Sequence, residues 1–379
     1  MRIFQNINYD FLGKRKTYYI LSLVIIVVGL ISIAVRGLEF GIDFNGGSEI
    51  ILEFQKPIEI TEIRNKVQDI GLGNIEVKTF GDDNTVLIRT QLQQIPANFY
   101  PKVIQDLEKE IDQVIPGVSK RIIDSSRNSV VFEFENPDTV NFITSKLNAI
   151  GLQAAEISEE PTNRQVSINI GISNWLKENL RQRIPDNSFR VIKEDQVGPK
   201  VGQELKMDAV IAVLLSLVVI LVYLGFRFKF IFAFGAVIAL FHNVIITLGL
   251  FSILYNVIPG LNLEIDLNVV AAFLTLVGYT INDTVVIFDR IRENIKIHKT
   301  LPLLEIINRS INNTMSRTVL TGGTTLMALL VLLFFGGEVL RSFAFTLFFG
   351  ILIGTYSSIF VASALVLEYA SKSKKRVQF

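Results

Sequence analysis

Two ionisable residues stand where apolar side chains are expected. The stretch LNVVAAFLTLVGYTINDTVVIFDR begins at Leu267, and Asp283 lies within it, six residues before Asp289. At 1.5 Å per helical residue that places Asp283 roughly 9 Å inside the end of the apolar run. Thr275, Tyr279 and Asp283 share one helix face, with Asn282 beside them. A second apolar stretch supplies a partner, because Arg317, Thr321, Thr324 and Thr325 fall at i, i+4, i+7 and i+8 from a comparable depth. A charged side chain at the middle of a bilayer costs roughly 2.5–3.5 kcal/mol on insertion scales, so each such group needs a reason. One reason is a proton relay: desolvation favours a neutral carboxyl, a neighbouring cation favours the charged form, and small helix movements switch between them. The other readings are a static interhelical ion pair for Asp283 and, for Arg317, a boundary residue reaching toward lipid headgroups. His242, next to Asn243 in a third apolar run, is either a hydrogen-bonded packing residue or part of the same wet pathway. Gly350, Gly354 and Ser358 recur every four residues and predict a close-packing helix face.

The elements that must hold these residues follow from composition. The chain has 379 residues, half of them apolar and only 19% charged, with 28 Phe against one Trp. An ordinary soluble domain is nearer a quarter charged, so the balance points to a membrane. The absence of Cys removes disulfides, thiolate nucleophiles, iron–sulfur clusters and Cys-based zinc sites. Two distant histidines make a His-based metal site improbable, and no cofactor is expected. A net charge of +1 without a basic tract argues against a nucleic-acid partner. No nucleophile–base pair or metal cluster is visible, so an enzyme is not expected.

Six apolar runs are long enough to span a bilayer: Tyr18–Val35, Ala209–Phe226, Phe230–Ile253, Leu267–Phe288, Val319–Phe335 and Phe343–Leu367. Alternate connections are basic. The start carries Arg2, Lys14, Arg15 and Lys16, the second–third connection Arg227 and Lys229, and the tail Lys372, Lys374, Lys375 and Arg376. The fourth–fifth connection carries Arg290, Arg292, Lys296, Lys299, Arg309 and Arg317. By the positive-inside rule both termini face the cytoplasm. The first run is too long for a signal-peptide core and lacks a small-residue cleavage site, so it reads as a retained anchor. The expected organisation is a cytoplasmic start (1–17), a first span (18–35), an outer region (36–206), a five-helix membrane domain (207–368) and a basic cytoplasmic tail (369–379). The outer region carries 20 Lys and Arg against 26 Asp and Glu, so it is mildly acidic while the membrane part is basic.

The outer region repeats itself. IILEFQKPIEITEIRNKVQDIGL begins at Ile50 and VVFEFENPDTVNFITSKLNAIGL at Val130. Glu53-Phe54 maps to Glu133-Phe134, Pro57 to Pro137 and Ile70-Gly71-Leu72 to Ile150-Gly151-Leu152. A second block maps Val103, Leu107, Ile111 and Ile115-Pro116 onto Ile172, Leu176, Leu180 and Ile184-Pro185. Each copy reads strand–helix–strand–strand–helix–strand, the split βαβ unit of ferredoxin-like folds. The modules cover about 48–123 and about 129–196, with Gly71 and Gly151 suited to helix C′ positions. The fold class is therefore a polytopic α-helical membrane protein with six transmembrane helices and an extracytoplasmic α+β region of two ferredoxin-like modules. Which copy owns each last strand stays open, since the modules could exchange strands.

Four motifs carry a resemblance that covers essentially the whole chain. GIDFNGGS (Gly41–Ser48) follows the first span and VGPKVG (Val197–Gly202) precedes the second. GYTINDTVVIFDRIREN (Gly278–Asn294) and NRSINNTMSRTVLTGGTTL (Asn308–Leu326) occupy the polar spans. In that order they resemble the SecD/SecF family of protein-export membrane proteins, within the resistance-nodulation-division superfamily of proton-coupled transporters. The resemblance implies that Asp283 is the intramembrane carboxylate and Arg317 its basic partner in proton passage. It also implies one half of a twelve-span unit completed by SecD, associated with the SecYEG channel and YajC, acting on preproteins driven by SecA. The expected role is an auxiliary subunit of the Sec translocase that uses the proton-motive force in the cytoplasmic (inner) membrane. The alternative is a proton-coupled small-molecule efflux subunit of the same superfamily. A receptor sensing an external ligand is a weaker rival, because no cytoplasmic segment has room for a signalling domain. Three features depart from the family pattern: two outer modules where one is usual, Asn243 where an acidic residue often follows the histidine, and Gly322-Gly323 in place of a small polar pair.

Overall fold

The computed structural model describes residues 8–68, 75–92, 94–125, 129–137, 140–149, 153–158, 160, 162–228, 230–258 and 261–372. The chain divides into a helical unit, Met1–Phe44 with Glu204–Phe379, and an α+β unit, Asn45–Gln203.

Among the described residues of the helical unit, six helical segments are long and apolar enough to cross a membrane. They are α1 (Arg15–Arg36), α7 (Pro199–Arg227), α8 (Phe230–Leu254), α9 (Leu267–Ile297), α10 (Leu303–Phe335) and a last segment built from α11 (Gly337–Ser357), a π-helical turn (Ser358–Ala362) and α12 (Ser363–Lys372). Four run five or more residues beyond the expected apolar cores. A charge ends an apolar run but not a helix, so α9 continues through Arg290 and Arg292, and α10 starts at Leu303 rather than near Val319. The expected basic connection between them is thus mostly helix. The start of α9 is fixed by two carboxylates, as the exposed amides and positive dipole end of a helix favour. Asp266 accepts from the Val269 amide at 2.8 Å and Asp43 from the Leu267 amide at 2.9 Å. Helices α1 and α8 touch backbone to backbone: a Cβ on Gly249 would lie 2.8 Å from the Cα of Gly29.

The α+β unit holds α3 (Ile60–Gln68), α4 (Tyr100–Val114), α5 (Val140–Ala149) and α6 (Ile172–Arg183). Its strands are β1 (Gly47–Phe54), β2 (Ile75–Phe80), β3 (Asp82–Thr90), β4 (Lys120–Ser125), β5 (Ser129–Phe134), β6 (Gln153–Glu156), β7 (Gln165–Asn169) and β8 (Phe189–Val197). The short α2 (Ile42–Asn45) precedes β1. The expected helix-ending glycines Gly71 and Gly151 lie outside the described residues, as do Lys374, Lys375 and Arg376 of the tail.

Among the described residues two four-stranded antiparallel sheets form, ordered β2-β3-β1-β8 and β4-β5-β7-β6. Each is the ferredoxin-like order, but the strand beside the first strand comes from the other copy. β8 pairs with β1, Gly47 opposite Val197, and β4 pairs with β5, Lys120 opposite Phe134. The helices follow their strands, α6 packing on α3 and β1 and α4 on α5. The open question of strand ownership is answered by exchange. The second module is continuous from α4 to β7 and sits as an insertion between β3 and α6 of the first. Period-two alternation drives this packing. Ile50, Leu52 and Phe54 of β1 point inward with Val86 and Ile88 of β3, beneath Ile63, Val67, Leu176 and Leu180.

The exchange also explains two of the motifs. Gly46 and Gly47 have φ of +71° and +125°, a region L side chains rarely adopt. A Cβ on Gly46 would lie 2.9 Å from the Cα of Pro199, and one on Gly47 would run into the Thr90 carbonyl. The glycine pair is where β1 enters its sheet pressed against the exit of β8, so Gly41–Ser48 and Val197–Gly202 meet.

Candidate functional site

Helices α9 and α10 carry the polar stripe, and their faces are set by 3.6-residue periodicity inside long apolar runs. Asp283 is buried, 8% exposed, facing the interior. Arg317 lies near enough for its charge to act on the Asp283 carboxyl. Among the described residues Asp283 forms no hydrogen bond or salt bridge, so the expected partners do not close a pair.

Tyr279, one turn before Asp283, joins the two helices. Its hydroxyl donates to the Thr321 carbonyl at 3.1 Å and lies 2.8 Å from Thr325 Oγ1. The threonines otherwise turn back on their own helices: Thr321 Oγ1 donates to the Arg317 carbonyl at 2.9 Å, Thr324 to Leu320 at 3.0 Å and Thr275 to Ala271 at 2.8 Å. Thr275, Asn282, Arg317, Thr321 and Thr324 are exposed on the surface of this chain, so Asn282 does not join Asp283 in the interior. Five polar side chains exposed on the outward faces of two spanning helices, Asn282 and Arg317 above all, are a surface that hydrocarbon would not solvate well.

His242 lies on α8, apart from that face. It is buried, its Nδ1 3.2 Å from Asn243 Oδ1, and its ring is stacked on Tyr356 with centroids 6.2 Å apart. Its Nε2 is buried and has no hydrogen-bond partner among the described residues. Tyr356 in turn donates to the Tyr18 carbonyl at 3.0 Å and meets Ser22 at 3.0 Å. A tyrosine linking α1 to the histidine was not legible from spacing, since the two lie in distant spans.

The small-residue face of the last segment packs on α9 in register. A Cβ on Gly350 would run into the Leu276 side chain, and one on Gly354 into Thr280 Cγ2. Ser358, at the π-helical turn, lies 2.7 Å from Thr284. Steps of four on one helix thus meet steps of four on the other, holding the buried side of α9 one residue from Asp283. Among the described residues no group of three or more His, Cys, Asp or Glu is placed to hold a metal ion.

Comparison with known proteins adds a lineage to this geometry. The family profile described as "Protein export membrane protein SecD/SecF, C-terminal" matches residues 177–372, and the "SecD/SecF GG Motif" matches residues 31–58. The chain is 40% identical to the protein translocase subunit SecF of Rhodothermus marinus over 376 residues, covering 99% of this chain and 98% of that one. It is 36% identical to the subunit of the same name from Calditerrivibrio nitroreducens, covering 97% and 96%. Among solved structures it resembles the translocon-associated membrane protein SecDF from Thermus thermophilus, with a TM-score of 0.64 and 28% identity. That match covers 97% of this chain and 39% of the other, so this chain spans about two fifths of the longer protein. These matches, which cover nearly the whole chain and nearly the whole of its relatives, lead to one conclusion: the chain belongs to the SecD/SecF family of protein-export membrane proteins.

Proposed function

We propose that this chain is the SecF-type auxiliary subunit of the Sec preprotein translocase and that protons cross the membrane between α9 and α10. The observation that carries the reading is Asp283: a buried carboxyl that feels Arg317 and forms no salt bridge with it. A carboxyl already locked in a short ion pair would be held charged, whereas one beside an unengaged cation can take and release a proton as the helices shift. The membrane potential supplies about 2.3 kcal/mol per charge per 100 mV, so a few protons per cycle suffice to bias the movement of an unfolded chain.

SecD is the partner the exposed polar face calls for. The Thermus structure is a SecDF chain, and a second membrane half lying against Thr275, Asn282, Arg317, Thr321 and Thr324 would cover what lipid solvates poorly. SecYEG, YajC and SecA-driven preproteins complete the assembly in this reading. The chain does no covalent chemistry; it sits in the cytoplasmic membrane with its basic ends inside and the α+β unit outside. The efflux alternative has nothing in its favour among the relatives, whose names are those of translocase subunits.

The test is export of a secretory precursor into membrane vesicles carrying the Asp283→Asn chain, with SecD association checked in parallel. Asn keeps the size and cannot carry a proton. Loss of the proton-dependent component of export in an intact complex is the expected outcome; unchanged export would make Asp283 a structural residue.

A further inference from the structure

Two of the three asparagines in the motif Asn308–Leu326, Asn308 and Asn312, have a role outside the proton path. They lie at i and i+4 on α10, beyond the end of its apolar run. Both are engaged with a single stretch of chain, Tyr9–Gly13, which leads into α1. Asn312 reads the main chain of Tyr9 from both sides, its Oδ1 accepting from the amide at 3.1 Å and its Nδ2 donating to the carbonyl at 2.9 Å. Asn308 accepts from the Leu12 amide at 3.1 Å and donates to Asp10 at 2.6 Å. Asp10 also accepts from the Gly13 amide at 2.8 Å, which closes the stretch into a turn. One turn later Arg15 is paired with Glu368 of α12 at 2.7 Å.

What this clamp holds in place is apolar. Leu12 is fully buried and Phe11 nearly so, 9% exposed, although neither belongs to a spanning segment. They complete a cluster with Phe228, Phe288, Ile287, Ile291, Ile307 and Ile311. Ile287 and Ile291 lie four and eight residues after Asp283, directly below it on the same face of α9. The cluster is therefore an apolar layer on the side of Asp283 toward the basic end of α9, and two of its buried side chains come from the clamped segment. The strap is tied to α10 by three hydrogen bonds between side-chain amides and backbone and one to the Asp10 carboxylate, a set that can be released without breaking any helix or strand. A dry layer that could not part would bar a proton from leaving Asp283.

We propose that Asn308 and Asn312 are positioning residues that seat Phe11 and Leu12 as a removable plug in the cytoplasmic mouth of the Asp283 path. This rests on the proton path proposed above. Seated, the plug keeps water from the carboxyl on that side; lifted, it lets the proton out.

The experiment uses the natural absence of cysteine. Tyr9→Cys and Asn312→Cys are introduced together and joined by a short bifunctional methanethiosulfonate, which a thiol reductant removes. Proton entry is followed with a pH-sensitive dye in vesicles carrying the complex with SecD, before linking, after linking and after reduction. The expected result is loss of proton entry on linking and its return on reduction, a reversible change that misfolding cannot mimic. A second arm replaces Asn308 and Asn312 together by Ala, where a proton leak abolished by adding Asp283→Asn is expected. Proton entry that depends on Asp283 but is indifferent to the linked strap overturns the plug and leaves the path standing. Proton entry that Asp283→Asn does not alter overturns the path itself, and the plug with it.

Discussion

The carboxyl of Asp283 on α9 lies within reach of the charge of Arg317 on α10, yet the two form no salt bridge. The arginine is exposed on this chain while the aspartate is buried, so any closure between them must come from movement of the arginine inward or of the helices together.

That asymmetry predicts different outcomes for two replacements of Arg317. Arg317→Lys keeps a cation on a flexible stem and is expected to retain proton-dependent export, reduced in part because the planar fork is lost. Arg317→Met keeps the stem and removes the charge, and is expected to abolish the proton-dependent component as Asp283→Asn does. Export assays with and without an uncoupler check both.

Close packing predicts a paired rescue. Gly354→Ala drives a methyl into the Cγ2 of Thr280, whose hydroxyl is tied to the Leu276 carbonyl at 2.8 Å and holds the side chain in place. A cost of about 1–3 kcal/mol is expected, as for other overpacked sites. Thr280→Ser in the same chain removes the offending methyl and should restore most of the loss. Gly350→Ala meets the flexible end of Leu276 instead and should be milder. Thermal unfolding of the purified chain in detergent reads all three.

The α+β unit carries its own titrating group. Glu110 of α4 and Glu178 of α6 line a groove with Trp175 between the two modules. Burial, with Glu178 beside it, pushes the Glu110 carboxyl up to about 7 from an ordinary 4.5, against a smaller opposing effect of Arg181. Because the folded value lies above the unfolded one, the folded state holds the proton more tightly. Stability is therefore greatest below about pH 4.5 for this group and is lost as pH rises through about 7. Glu110→Gln should leave the melting temperature near pH 5 almost unchanged and raise it near pH 8. The half-exposed position keeps the effect small, and a pH series of melting curves measures it.

Strand exchange predicts which pieces fold. Residues 97–170 contain a whole sheet, β4-β5-β7-β6, with α4 and α5 over it, and should fold as a separate fragment. Residues 48–123, one copy of the repeat, lack β8 and α6 and should not. Circular dichroism and amide exchange on the two fragments distinguish them.

Much of this was legible from the residues because hydrophobic periodicity reports local structure well. The repeat places its strands and helices close to where they occur, and α8 runs from Phe230 as its apolar run does. Strand ownership was not legible, since two copies with the same pattern offer each last strand two equivalent partners. The reach of α9 and α10 was hidden by Arg290, Arg292 and Arg309, which end an apolar run without ending a helix. Asp283 and Arg317 could be placed at one depth by counting, but whether their side chains meet depends on rotamers that counting does not reach. Nothing in the spacing of Asn308 and Asn312 reveals a distant segment of main chain as their partner.

The nested arrangement of the two modules has a consequence for how the chain is made. β1 emerges early and must wait for β8, some 140 residues later, before its edge is covered. The inserted module, by contrast, is complete as soon as β7 is out. During synthesis the first sheet therefore stands with an open edge of unpaired amides and carbonyls beside a finished neighbour, the condition under which strands pair with the wrong chain. The charges along that edge, Glu49 and Glu53 on β1 with Arg190 and Lys193 on the strand that closes it, are placed to make a foreign strand a poor fit and the late one a good fit.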